Sequence, residues 1–195
     1  MSTRRITRDD ILSLEDYEKV RPERRRAVTE MKRDRRVSVG PDATFYFENY
    51  QTMWHQIHEM LRIEKGGEAQ IDDELAAYAP LVPKGSELVA TMMIEIDDPN
   101  RRARVLGGLG GIEDTISLSV GDEIIAAVPE TDVERTTEEG KTSSIHFLRF
   151  PFTRPQIEAF RTDGARVILG IAHPRYDHMA ALPERVRAAL AADFD

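Results

Sequence analysis

FYFENYQTMWHQIHEMLRIE, residues 45–64, decides how the chain is read. It holds the single Trp and two of the five His. Phe47, Tyr50, Trp54, Ile57 and Leu61 recur at steps of three and four. They therefore share one helical face, and it carries the largest apolar side chains of the chain. Burying each of them gains roughly 1.5–3 kcal/mol, so we expect the fold to be built around this helix. Glu48, Thr52, His55 and Glu59 fall together on the opposite side. Gly66-Gly67 ends the helix beyond Lys65.

Upstream, Thr7 and Ser13 each precede acidic residues in the manner of helix starts. Pro22 is placed to open a second helix, Glu23 to Arg35, because proline is tolerated in a first turn. Residues 1–36 form a basic helical arm with 12 Lys and Arg against 8 Asp and Glu, a net of +4. The body, residues 37–195, carries 15 against 27, a net of −12. Arg24, Arg25, Arg26 and Arg33 offer a contact for a polyanion. No helix-turn-helix spacing, zinc-finger pattern or aromatic RNA-binding motif accompanies them. We therefore favour a solvated helix that pairs with the acidic body over nucleic-acid binding.

Val37 to Val39 and Thr44 to Phe47 read as short strands around the Gly40-Pro41-Asp42 turn. Downstream, Ile71, Leu75 and Tyr78 are spaced for a helix stopped by Pro80 and Pro83. Leu88 to Ile96 alternates as a long strand with one buried face. Asp98-Pro99 opens a helix that Gly107 closes. Thr115 to Val120 and Glu123 to Val128 form a hairpin about Gly121-Asp122. Pro129 to Ser143 is acidic and poor in apolar groups, and reads as a mobile loop. Strands at Ser144 to Phe150 and Val167 to Ile171 flank a helix with a capping box at Thr153-Arg154-Pro155-Gln156. Leu182-Pro183 opens the last helix. The fold class is α+β: a mixed or antiparallel sheet packed on a central amphipathic helix, with an N-terminal helical arm, in one domain over residues 1–195.

Composition narrows the chemistry. With no Cys in 195 residues, disulfides, thiolate nucleophiles and Cys-ligated clusters are excluded. The first residues lack the apolar core of a signal peptide, and no apolar run reaches bilayer length. The expectation is a soluble, cytoplasmic protein that makes no membrane contact. Gly107-Gly108-Leu109-Gly110-Gly111 fits neither a Walker loop nor a dinucleotide fingerprint, since the Lys-Ser/Thr and the third Gly are missing.

Two sets of side chains have the donor chemistry for a divalent iron, zinc or manganese ion. Glu48, His55 and Glu59 share a helix face. His146, on a strand, and His173 and His178, in the loop after the last strand, form the second set. Neither set has a known metal spacing, so we favour a polar helix face as the reading of the first and ordinary loop residues as the reading of the second. Glu64 falls inside the apolar stripe and needs a cation. We expect it to take an Arg from the basic arm, with Arg62 beside it in the same ion-pair region. No catalytic motif is complete, which leaves open whether the protein is an enzyme.

Leu14-x-x-Tyr17-x-x-x-Arg21-Pro22, Phe47-Glu48-Asn49 and Gln56-Ile57-x-Glu59-Met60-Leu61-Arg62-x-Glu64 come in order along the chain. Glu87-Leu88-x-Ala90-Thr91, His146-x-Leu148-Arg149-Phe150 and Gly170-x-x-His173-Pro174-x-Tyr176 follow. Together they resemble an uncharacterised bacterial family, domain of unknown function 3501. The resemblance points to Glu48, Glu59, Arg62, Glu64 and His173, and leaves His55 and His58 outside the pattern. The resemblance implies a gene setting near rubrerythrin-type and iron–sulfur oxidoreductases. What the resemblance implies is an accessory protein that docks on such a redox partner in oxidative-stress defence. A mononuclear metal enzyme or sensor and a nucleic-acid binder are the alternatives.

Overall fold

The computed structural model describes residues 4–130 and 141–195. A helix α1 (Leu14–Arg33) leads into strands β1 (Arg36–Val39) and β2 (Ala43–Phe47). Helices α2 (Tyr50–Glu64) and α3 (Glu68–Tyr78) precede β3 (Glu87–Ile94) and α4 (Pro99–Leu106). Then come β4 (Ile116–Val120), β5 (Glu123–Ala126), β6 (Val128–Pro129) and β7 (Ile145–Pro151). The chain ends with α5 (Arg154–Arg161), β8 (Val167–His173), β9 (Tyr176–Ala181) and α6 (Glu184–Ala191).

The strands make two sheets, ordered β1-β2-β3-β7-β6 and β5-β4-β8-β9, and every pairing is antiparallel. Alternation explains their stacking. Leu88, Ala90, Met92 and Ile94 of β3 point to one side, with Phe45 and Phe47 of β2 and Leu148 and Phe150 of β7. Leu118 of β4, Leu169 and Ile171 of β8 and Ile125 of β5 meet them from the second sheet in one buried cluster. Helices α5 and α6 add Phe160, Val186 and Leu190 to it. Phe152, Phe160 and Phe194 pack edge to face there, with ring centroids 4.8–5.6 Å apart.

The opposite face of the first sheet carries a second, smaller core. Val89 and Phe147 project outward from β3 and β7 and meet Met53, Trp54 and Ile57 of α2, with Tyr17 of α1 and Leu81. Trp54 and Ile57 are thus buried as the helical spacing predicts, with Tyr50 and Leu61 partly buried beside them, but Phe47 belongs to β2 and points into the core between the sheets. The larger core, however, lies between the sheets and not on α2.

Three readings are corrected. Residues 14–33 form one helix with Pro22 inside it, not two helices. Both halves are held on α2, through Tyr17 and Arg21 before the proline and Arg24 after it, and this contact offsets the missing backbone bond. The segment around His178 is strand β9, paired with β8 from His173–Tyr176 to Ile168–Ala181, not a loop. The expected loop at 129–143 falls mostly on residues 131–140, outside the described residues. Its ends are packed: Pro129 pairs with Leu148, and Thr142 is buried with its N–H on the Leu106 carbonyl.

Candidate functional site

Two polar constellations lie on the α-helical side of the first sheet. The first joins α1 to α2. The Tyr17 hydroxyl donates to Glu59 Oε1 at 2.7 Å, and Arg21 closes a two-bond fork on the same carboxylate at 2.7 and 2.9 Å. Having spent its proton, the Tyr17 oxygen accepts from His55 Nδ1 at 3.0 Å. The Arg21 hydrogen bonds pull the Glu59 carboxyl down to about 2, with Tyr17 assisting and partial burial opposing. Burial, then Glu59, push the Tyr17 hydroxyl well above its usual value. Burial lowers His55, and the Glu59 charge only partly offsets it.

His58 stands one turn on, stacked against Trp54 with ring centroids 3.9 Å apart. Its Nε2 accepts from the Leu12 N–H at 3.0 Å, so Nδ1 carries the proton and donates to the Trp54 carbonyl at 2.7 Å. Both ring nitrogens are occupied within the protein. The arrangement fixes the chain before α1 against α2 and leaves His58 no free ligand atom.

The second constellation surrounds a cavity of about 220 Å³ between α2 and the outer face of the first sheet. Register builds its floor. Tyr46, Thr91 and Phe147 sit side by side across β2, β3 and β7, and Met93 pairs with Ile145 in the next row. Met53 and Gln56 of α2, Lys32 of α1, Tyr78 and Leu81 complete the walls. Glu48 enters from the β2–α2 junction. It is 5% exposed, its Oε2 accepting from Thr52 Oγ1 at 2.6 Å and its Oε1 from Thr91 Oγ1 at 2.8 Å. Two cations come near without pairing with that carboxylate. Arg35 spends its donors on the Phe47 and Glu48 carbonyls and on Asp193. Lys32 lines the cavity and, among the described residues, makes no ion pair.

The expected metal sets are not assembled. Among the described residues no group of three or more His, Asp or Glu side chains is placed to hold an ion. Glu48 precedes the Asn49 N-cap, whose backbone is extended, so it never joins the helical phase that aligns His55 with Glu59. His146 is buried at the Thr142–Ser143 turn, within 3.8 Å of Glu113. His173 bonds the Gly110 carbonyl and the Arg175 N–H inside its hairpin, and His178 packs on the Tyr176 ring.

The ion-pair expectation for Glu64 is corrected, because among the described residues it meets no arginine. An arm arginine does meet an α2 carboxylate, but it is Arg21 on Glu59. Glu64 is exposed and accepts from Gln70 Nε2 at 2.8 Å, while Arg62 pairs with Glu18 at 2.6 Å. The α1 helix crosses the middle of α2, one turn short of Glu64. Of the arm's other arginines, Arg24 lies over the Trp54 ring, 5.2 Å from its centroid, and Arg33 pairs with Glu30. Arg25 and Arg26 are exposed. The sequence reading gives Lys32 no site role, and places Thr52 only on the polar helix face and Thr91 only within a motif. Thr91 had a signal, being a hydroxyl on the outward phase of an otherwise apolar strand.

Residues 5–194 match the profile of a family described as protein of unknown function (DUF3501). The chain belongs to that family. It is also similar to the crystal structure of a novel protein of unknown function from Burkholderia pseudomallei K96243. The two are 42% identical over 97% of this chain and 99% of that one, with a TM-score of 0.89. No curated protein matches. The DUF3501 match spans the motifs at residues 14–22, 47–64 and 170–176, and its description names no activity.

Proposed function

We propose that this DUF3501 protein is an accessory protein that docks on a protein partner through the α1–α2 surface. The observation that carries this reading is an apolar patch. Leu12, Leu14 and Ile63 are 37%, 48% and 65% exposed. They line two adjoining depressions that share Leu14 and Lys65. The more enclosed one, about 340 Å³, reaches Tyr17, His58, Leu61 and Ile71 and has Glu68 on its lining. Glu15, Glu18 and Arg62 line the other, so the patch carries charge of both signs. An exposed apolar centre within a charged rim is the make-up of a transient interface.

The partner must present a complementary apolar knob with a polar surround. The family resemblance makes a rubrerythrin-type protein or an iron–sulfur oxidoreductase the first candidate. Purified candidates from the same organism, titrated by calorimetry against the full chain, test the proposal. One of them should bind, and Leu14→Glu with Ile63→Glu should weaken binding at least tenfold while the melting temperature holds. Failure of both candidates to bind sinks the redox-partner reading. Binding that survives both substitutions sinks the surface.

A further inference from the structure

The cavity beside Glu48 is separate from the docking surface and makes a different demand. A carboxylate taken out of water needs more than hydroxyl donors, because the loss of hydration is offset only by opposite charge or by several strong bonds. Glu48 has two hydroxyl bonds and, among the described residues, no cation. The Arg35 guanidinium contacts the Glu48 backbone carbonyl and not its side chain. Room for a cation exists next to it, in the 220 Å³ cavity that Glu48 lines.

We propose that this cavity binds a small protonated amine with an apolar body, its ammonium group on Glu48. Each wall has a part in that selection. Thr52 and Thr91 hold the two carboxylate oxygens from behind, so the carboxylate is oriented before a ligand arrives. Met53, Met93, Leu81 and Phe147 supply apolar contact for a short hydrocarbon or aromatic body. Sulfur-bearing walls adapt readily to different shapes. Lys32 stands on the same cavity and, among the described residues, makes no ion pair. It repels a second positive charge and meets a carboxylate, so the site admits either a simple monoamine or an amino acid and discriminates against diamines.

Size bounds the ligand. The cavity is smaller than the roughly 300–1,000 Å³ of pockets that hold drug-sized molecules, so nucleotides and folded cofactors are excluded. Tyr46 is occupied, its hydroxyl donating to Glu95 at 3.0 Å. Glu48 is therefore the cavity's strongest open acceptor, which favours a charged donor over a neutral one.

The test uses the full-length protein and two readouts, thermal shift and titration calorimetry. The probes are isoamylamine, phenethylamine, leucine, methionine, isoamyl alcohol and N-acetyl-leucine. At least one amine should bind and raise the melting temperature, while the alcohol and the acetylated compound do neither. Glu48→Gln should weaken that binding at least tenfold. Met93→Trp, which fills the cavity from the sheet side and leaves Glu48 in place, should abolish it and keeps the test decisive if Glu48→Gln misfolds. Lys32→Met separates the two sources: it should weaken leucine or methionine and spare the simple amines. The proposal is overturned if no amine binds, if the neutral isosteres bind equally well, or if binding persists in Met93→Trp.

Discussion

Glu59→Gln tests whether α1 is clamped to α2 by charge or only by shape. The substitution keeps the volume and removes the negative charge that holds Tyr17 and both arms of the Arg21 fork. In the folded protein the Glu59 carboxyl lies at about 2 against an ordinary 4.5, chiefly through Arg21. A depression of that size is worth at most about 3 kcal/mol. The Glu59 side chain is 20% exposed, so solvent screening brings the expected loss to about 1–2 kcal/mol at neutral pH. For a chain of this length, that lowers the melting temperature by about 2–8 °C.

The sign with pH follows from the depressed value. A carboxylate held below its unfolded value stabilises the protein above 4.5, and loses that contribution as pH falls from 4.5 to about 2. Urea unfolding of the wild type and Glu59→Gln at pH 7, 5, 4 and 3 should therefore show curves that converge as acid is added. A difference that stays constant with pH would refute the electrostatic account. No difference at pH 7 would refute the clamp itself. Arg21→Met alone and in combination completes a double-mutant cycle, in which the coupling should be of the same sign and size.

Two smaller predictions accompany it. Trp54→Ala should cost about 3–5 kcal/mol, measured by chemical unfolding, since the indole is 7% exposed, donates to the Asp10 carbonyl and underlies Arg24; an unchanged midpoint would remove α2 from the second core. Lys65→Gly should raise stability by about 0.5–1 kcal/mol, because Lys65 ends α2 with φ 54°, the left-handed region that glycine adopts without strain; a loss instead, measured by chemical unfolding, would show that the Lys65 side chain makes contacts that outweigh the backbone strain.

How much of this was legible in sequence depended on whether the signal was local. The buried face of α2 was, since Trp54 and Ile57 obey the helical period, and so did the hairpin at Gly121-Asp122. The capping box Asn49-x-x-Thr52 was also present, and it says that the helix begins at Tyr50. Carrying the period back to Glu48 ignored that cap and produced a metal set that does not exist. Pro22 was read as a helix opener because local rules weigh its lost hydrogen bond, while the packing that tolerates it comes from α2, far along the chain. Strand β9 escaped notice because edge strands on the outside of a sandwich need no apolar alternation: Asp177, His178 and Met179 are all exposed. The division into two sheets and the cavity beneath α2 depend on register between distant strands, for which one sequence holds no direct signal.

The junction Phe47-Glu48-Asn49 shows why the cavity is better described as built than as left over. Phe47 drives its ring into the inter-sheet core, 1% exposed, while Asn49 caps α2 with its side chain. Between them, Glu48 has its N–H on the Val89 carbonyl, so its backbone continues the sheet for one residue after β2 ends. Arg35 grips the Phe47 and Glu48 carbonyls and pairs with Asp193, 4% and 8% exposed respectively. Burial pushes the Asp193 carboxyl above its ordinary value, and the Arg35 charge pulls against that push. Such a pair adds little net stability compared with apolar residues of the same volume. Its contribution is positional: it locks both carbonyls of the junction and, through them, the direction in which the Glu48 side chain leaves the backbone. Two threonines then hold the carboxylate itself. A buried acid fixed from backbone to oxygen beside an open volume is what a pre-organised binding site requires.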